Sequence, residues 1–144
     1  MLELLGAHDP AAVRAMPTDS VATVSLGYRG SELRDLDRLL PAHGYLISEP
    51  GRGPVRSVAR FSAKFAARAP AGPELFRVSV RPPAHSTDLT LVDLARAELA
   101  GTLGIDAAPV LEHVHRWTGV MPQYEVGYLD RAGLPLPGRL QLSP

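Results

Sequence analysis

Apolar and polar residues alternate along five stretches of the chain, and this pattern predicts five β-strands. In the first stretch, residues 20–28, the apolar alternate positions are Ala22, Val24, Leu26 and Tyr28. A period of two is typical of a strand that buries only one face. The same reasoning predicts further strands at residues 44–48, 55–61, 75–80 and 109–117.

The predicted strand at residues 75–80 has two faces of different chemistry. The apolar face, which we expect in the core, consists of Phe76, Val78 and Val80. The opposite face carries Leu75, Arg77, Ser79 and Arg81. A turn rich in proline and glycine lies between the second and third predicted strands, so these two strands should form a hairpin.

A helix is predicted at residues 90–103, where apolar side chains recur at helical spacing. The recurring positions are Val92, Ala95, Leu99 and Leu103. Thr90 and Asp93 resemble a capping box at the start, and Gly104 suits the left-handed cap that ends many helices. A shorter helix is expected at residues 9–16, and residues 29–42 are expected to form a surface loop with at most one helical turn.

The elements follow the order helix, four strands, helix, strand, which is typical of an α+β fold. We therefore expect a mixed or antiparallel sheet of about five strands with one main helix packed on it. The chain has 144 residues, enough for one core, so residues 1–144 are expected to form a single segment of domain size.

Charge and cysteine content exclude several classes of function. The 15 basic and 15 acidic residues cancel, so we expect no nucleic acid partner. Cysteine is absent, which excludes disulfides, thiolate zinc sites and a cysteine nucleophile. No stretch approaches the roughly 18 apolar residues of a membrane helix, so this segment should make no membrane contact. A cytoplasmic location is the expectation.

Three motifs point to chemistry only weakly. Residues 51–56 begin like a dinucleotide-binding loop, but Arg56 replaces the third glycine and a strand follows instead of a helix. His113 and His115 face the same side of a predicted strand, yet no third ligand is near in the sequence, so no metal is expected. Serine, histidine and aspartate residues occur without a nucleophile elbow, and no catalytic side chain is predicted.

The stretch from His113 to Tyr124 concentrates large side chains around Pro122. It contains Trp117, the one tryptophan of the chain, together with Met121. Such a cluster suits a flat aromatic ligand, and it suits equally a strand end that packs its aromatic side chains into a core. The residues alone do not separate these two interpretations.

This stretch resembles the end of the substrate domain in flavin-dependent protoporphyrinogen and coproporphyrinogen oxidases of the FAD amine-oxidase superfamily. The matching positions are residues 115–117, 121–124 and 127–129. Three weaker matches follow the same order as in that family, at residues 20–28, at residues 43–47, and at residues 61–65 followed by 77–80. The resemblance covers residues 4–142, which correspond to an internal substrate-domain segment of much longer enzymes.

The resemblance implies the fold of the substrate-binding domain of FAD amine oxidases, with FAD as the cofactor of the intact enzyme. The family's flavin-binding motifs, a glycine-rich strand-turn-helix upstream and a glycine-rich flavin strand downstream, have no counterpart in this sequence. We therefore expect a truncated, split or decaying gene product that binds no FAD alone and is inactive alone. A partner chain carrying the FAD-binding domain would complete it.

The resemblance also implies site residues. A tetrapyrrole (porphyrinogen) substrate would contact His43 and Leu46 on the second strand and Arg81 at the end of the fourth, whereas Trp117 would contact the flavin cofactor. His43 and Arg81 depart from the family pattern, which usually has an aromatic residue at the first position and often an apolar one at the last. Arg81 could pair with the carboxylate of a propionate arm.

Two other functions stay open at this point. A binding module that holds haem or porphyrin without redox chemistry would use His43 as an axial ligand. A protein-interaction module would instead present the surface that meets the flavin domain in the family to another chain.

Overall fold

A computed structural model describes residues 16–48, 53–65, 72–124 and 126–127 of the chain. Two compact units are present, one of residues Ser20–Thr118 and the other of Met1–Asp19 together with Gly119–Pro144. The short helix expected at residues 9–16 lies outside the described residues, apart from Met16.

Five strands form one antiparallel sheet, and the expected α+β class is confirmed. The strands are β1 (Thr18–Arg29), β2 (Gly44–Leu46), β3 (Val55–Arg60), β4 (Pro73–Val80) and β5 (Leu111–Pro122). Their order across the sheet is β2-β3-β4-β1-β5, so β2 and β5 are the edge strands. The predicted hairpin is formed by β2 and β3, with Tyr45 opposite Val58.

The strand register brings the apolar positions together on one face. Val24 of β1 lies opposite Val78 of β4, and Leu26 lies opposite Phe76. Val58 of β3 also lies opposite Val78. All five side chains are at most 1% exposed, which confirms the core face predicted from the alternating pattern.

The main helix, α3 (Asp88–Leu103), buries the predicted stripe against this face. Its buried residues are Leu91, Val92, Ala95, Leu99 and Leu103. Gly104 ends the helix with a φ of 65°, as expected for a left-handed cap. The start differs from the prediction, because Thr87 and not Thr90 is the cap: Thr87 Oγ1 accepts a hydrogen bond from Thr90 N at 3.1 Å.

The segment between β1 and β2 is more structured than predicted. It contains a turn of 3-10 helix (Gly30–Glu32) and a single turn of α-helix, α1 (Leu36–Leu39). The reason is apolar anchoring, since Leu36 and Leu40 are each only 6% exposed and belong to the core. Charged neighbours obscured this pair of leucines in the sequence.

Several strand boundaries also shift. The third strand ends at Arg60, and Phe61–Lys64 forms a one-turn helix, α2, where the alternating pattern had placed the strand end. The last strand begins at Leu111 and continues to Pro122, five residues beyond the predicted end at Trp117. Proline at the last position of an edge strand leaves no ladder hydrogen bond unmade.

Burial on α3 gives a direct test of what holds the fold together. Leu99 is fully buried, whereas Leu89 on the same helix is 69% exposed. We expect Leu99→Ala to lower the free energy of unfolding by about 2–5 kcal/mol, because it removes apolar burial and leaves a cavity. Leu89→Ala is the matched control and should change it by less than about 0.5 kcal/mol. Urea denaturation followed by circular dichroism measures both, and equal effects would contradict this packing.

Candidate functional site

The face of the sheet opposite α3 is the candidate site, and we call it the open face. On its three central strands it consists mainly of small side chains: Thr23, Ser25, Ser57, Ala59 and Ser79. The register puts Ser57 beside Ser79 and Ala59 beside Arg77. These residues are half-buried or exposed, so the open face is accessible to a ligand.

The edge strand β5 contributes its aromatic side chains to the open face. A Cβ built on Gly27 would lie 3.1 Å from the Cβ of Leu111, so these two residues share a face. Alternation from Leu111 then places His113, His115 and Trp117 on the open face as well. The ring centroids of His115 and Trp117 are 4.3 Å apart, and Trp117 is 47% exposed.

The intervening residues of β5 lie on the helix side. Val114 packs against the core, and Arg116 Nε donates to Asp88 Oδ1 of α3 at 2.8 Å. Burial raises the pKa of Tyr28, and the nearby Glu112 carboxylate raises it further, while Arg96 acts in the opposite direction. Glu112 therefore lies on the opposite face of β5 from His113 and His115.

The four residues that the resemblance singled out are only partly brought together. Leu46 lies on β2, pairs with Ser57 and is 82% exposed on the open face. Trp117 lies on the same face at the opposite edge strand. Arg81 follows the last residue of β4, where its backbone N donates to Pro54 O at 2.8 Å. His43 lies outside the strands, in the turn before β2, and its carbonyl accepts from Arg60 N at 2.8 Å.

Sequence reasoning missed Arg77 as a site residue, although the alternating pattern had placed it on the polar face. In the structure, the guanidinium of Arg77 lies 4.2 Å from the centroid of the Phe61 ring, within cation–π range. Phe61 is sixteen positions away in the sequence, so no local pattern indicated the contact. Arg77 is a cation that β4 presents on the open face.

A second polar cluster lies at a cavity of about 430 Å³ lined in part by Arg60, Glu74 and Asp37. Arg60 Nε and Nη2 donate to the two carboxylate oxygens of Glu74 at 2.9 and 2.6 Å. Ser62 Oγ also donates to Glu74, and Arg60 Nη1 donates to Asp37 Oδ1. Because these charges satisfy one another, the cluster is better explained as a connection between β3, β4 and α1 than as a ligand site.

The described residues do not fit the pyrophosphate of a flavin dinucleotide. The glycine-containing stretch at residues 51–56 leads into β3 and not into a helix, whereas a pyrophosphate site requires a helix N-terminus. At the start of α3, Thr87 already accepts from Thr90 N, and Asp88 adds a negative charge to the first turn. The first turn of α3 is therefore already capped by side chains of this chain.

The described part of the chain contains neither a metal-binding cluster nor a membrane-spanning helix. No group of three or more histidine, aspartate or glutamate side chains there is placed to hold a metal ion. His113 and His115 therefore lack a third ligand among those residues. None of the helices described is both long enough and apolar enough to span a bilayer.

Comparison with known proteins bears on this geometry. The chain is 36% identical over 138 residues to coproporphyrinogen III oxidase from Propionibacterium freudenreichii subsp. freudenreichii. The match takes in 91% of the chain but only 25% of that relative, so the chain spans about a quarter of the relative's length. The resemblance inferred from the residues is confirmed for such a partial segment.

Solved structures show the same fold. A proposed protoporphyrinogen oxidase from Exiguobacterium sp. 255-15 matches with a TM-score of 0.71 and 21% identity, over 90% of the chain and 29% of that structure. A reduced UDP-galactopyranose mutase matches with a TM-score of 0.66 and 18% identity, over 85% of the chain and 27% of that structure. No protein-family model matches the chain.

The Arg60–Glu74 pair predicts how stability depends on pH. The Arg60 guanidinium holds the pKa of Glu74 below its ordinary value of 4.5, against the opposing effect of burial. A lowered folded-state pKa stabilises the protein above the unfolded-state pKa, and this stabilisation is lost as pH falls through the folded-state pKa. We expect Glu74→Gln to cost about 1.5–3 kcal/mol at pH 7, with the difference from wild type shrinking below about pH 4.5.

Chemical denaturation at a series of pH values from neutral to acidic measures this dependence. Asp93→Asn is the matched control, because it removes one negative charge from an exposed position of α3. A constant difference between Glu74→Gln and wild type across the acidic range would contradict the assignment.

Proposed function

We propose that this chain supplies the porphyrinogen-facing sheet of an FAD-dependent oxidoreductase that resembles protoporphyrinogen and coproporphyrinogen oxidases. The observation that carries the proposal is the open face, where small central side chains lie between Leu46 and Trp117 on the two edge strands. The similarity of nearly the whole chain to part of coproporphyrinogen III oxidase supports the same conclusion.

The geometry suits a planar ligand for a physical reason. A flat ring gains contact area when the surface beneath it is low and even, and serine, threonine and alanine side chains on neighbouring strands provide such a surface. Exposed Leu46 and Trp117 border this surface four strand spacings apart, roughly 19 Å, so the ring together with its arms can remove their apolar area from water. In this proposal the chain's part in the reaction is to bind and orient the macrocycle.

FAD belongs to the proposal as the cofactor of the intact enzyme, held by other residues, because those described here do not form a pyrophosphate site. A partner polypeptide carrying the FAD-binding domain would complete the enzyme, and residues 1–144 would act as one substrate-domain segment. The isolated chain would then be inactive, and a cytoplasmic location remains part of this proposal.

A protein-interaction role is the second candidate, and one observation favours it. On β5 and just before it, Val110, Leu111 and Trp117 are each about half exposed, at 51%, 50% and 47%. An edge strand that presents apolar side chains is a common docking element for another chain. The porphyrinogen-binding role and the protein-interaction role are compatible if the surface near β5 contacts the polypeptide that holds the flavin.

The first prediction from this proposal concerns the cofactor. Purified protein should show no flavin absorbance, and adding FAD should leave the flavin fluorescence unchanged, because the described residues provide no pyrophosphate site. Equilibrium dialysis against FAD gives an independent measure. A yellow protein that retains flavin after gel filtration would contradict this expectation.

The second prediction concerns the macrocycle, with coproporphyrin III as an air-stable probe. Trp117 is the chain's one tryptophan, so binding on the open face should quench its fluorescence. Leu46→Asp should weaken binding roughly tenfold or more, because it replaces apolar contact with a charge. Leu89→Asp, at another exposed leucine, which lies on α3, is the matched control and should bind as wild type does.

Free N-acetyltryptophanamide, titrated in parallel, corrects for absorption of light by the porphyrin. If coproporphyrin III fails to quench Trp117 beyond that correction, or if the two aspartate variants bind equally, the open face is not the site.

A further inference from the structure

Between Ser20 and Thr118, the charge on the open face is positive. Among the residues described between Ser20 and Thr118, alternation and register place Arg77 on this face and no aspartate or glutamate. The acidic residues of the neighbouring strands, Glu74 and Glu112, take positions of the opposite parity, on the helix side. Over residues 20–118 a ligand lying on the open face therefore meets a positive group and no repelling carboxylate, while Asp19 continues the same parity at the start of β1.

Arg77 differs from four other arginines of the chain, which form ion pairs within the fold. Arg29, Arg38, Arg60 and Arg116 each lie within 3.7 Å of a carboxylate oxygen of this chain. In the described part of the chain, no carboxylate pairs with Arg77. Its guanidinium instead rests over Phe61 at 4.2 Å, a contact that restrains the group but leaves its hydrogen-bond donors available.

The position of Arg77 relative to Trp117 suits a macrocycle with extended arms. Arg77 lies opposite Ser25 on β1, and the Gly27–Leu111 contact sets Trp117 near the level of Val21 on that strand. Four residues along the strand and two strand spacings across the sheet separate the two sites by roughly 17 Å. A ring that contacts Trp117 can therefore extend a side arm to Arg77.

We infer that Arg77 binds a carboxylate on an arm of the tetrapyrrole and so makes the open face selective for macrocycles that carry carboxylate arms. The inference rests on the proposed function and adds to it the residue that recognises the carboxylate arm of the substrate. A guanidinium restrained beside an aromatic ring presents a planar set of N–H donors, which matches a carboxylate in bidentate geometry. No covalent or redox step is involved.

The test compares coproporphyrin III with its fully esterified form, using quenching of Trp117 in detergent-matched buffer. Wild-type protein should bind the free acid more tightly than the ester. Added salt should reduce this difference in affinity, because it screens the charge on Arg77. Arg77→Leu should weaken binding of the free acid roughly tenfold and leave binding of the ester unchanged. The affinity of Arg77→Lys for the free acid should lie between those of wild type and Arg77→Leu, because lysine keeps the charge but not the bidentate geometry.

The ester also shows whether the variants remain folded, since unchanged ester binding requires an intact open face. Arg96→Leu is the matched control, because Arg96 is an exposed arginine on α3, on the other side of the sheet. If wild-type protein binds acid and ester equally and Arg77→Leu has no effect, the inference fails while the proposed function stands. If neither probe binds, the proposed function fails with it.

Discussion

Packing of α3 against one face of the sheet is the interaction on which the rest of the structure depends. The helix buries five apolar side chains on positions that β1, β3 and β4 supply in register. Because one helix covers one face, the register that buries Val24 and Val78 also fixes Thr23, Ser25 and Ser79 on the other side. A slip of one residue would exchange the two sets, so the same constraint that makes the core defines the open face.

The ends of the strands are held by ion pairs and not by apolar packing. At one end, Arg60 joins β3 to β4 through Glu74 and reaches Asp37 beside α1. At the edge of the sheet, Arg116 of β5 is tied to Asp88 at the start of α3. Arginine is well suited to both places, since it can donate to two acceptors at once. These ion pairs use the helix side of the sheet.

Local patterns in the sequence were sufficient for the five strands, the main helix and most of the core. Alternation at residues 20–28 and 75–80 predicted both the strands and their buried sets, and helical spacing with Gly104 predicted where α3 ends. The start of α3 was harder, because Thr87 and Thr90 are both capping residues and only backbone geometry selects the first. Leu36 and Leu40 were missed because charged residues surround them, and their burial depends on contacts distant in sequence.

The site was less accessible to sequence reasoning, since its members meet only in the folded sheet. Leu46 and Trp117 were identified through resemblance, but that they lie on the same face follows from strand order. Arg77 and Phe61 come together because the chain turns into α2 after β3, a feature with no short-range signature. His43 shows the reverse case: the resemblance singled it out, whereas its place before β2 leaves its carbonyl as the group with a defined partner, Arg60 N.

Trp117 shows how the structure separates two interpretations that the residues left equal. If the tryptophan served only to fill a core, it would lie on the helix side of β5, where Val114 packs. Instead it lies on the parity of Leu111, beside His115, with about half of its surface exposed at 47%. Gly27 reinforces the argument, since a side chain there would crowd Leu111 at 3.1 Å and raise the surface of the open face. Large side chains on the edge strands and mainly small ones between them suit contact with a flat ligand.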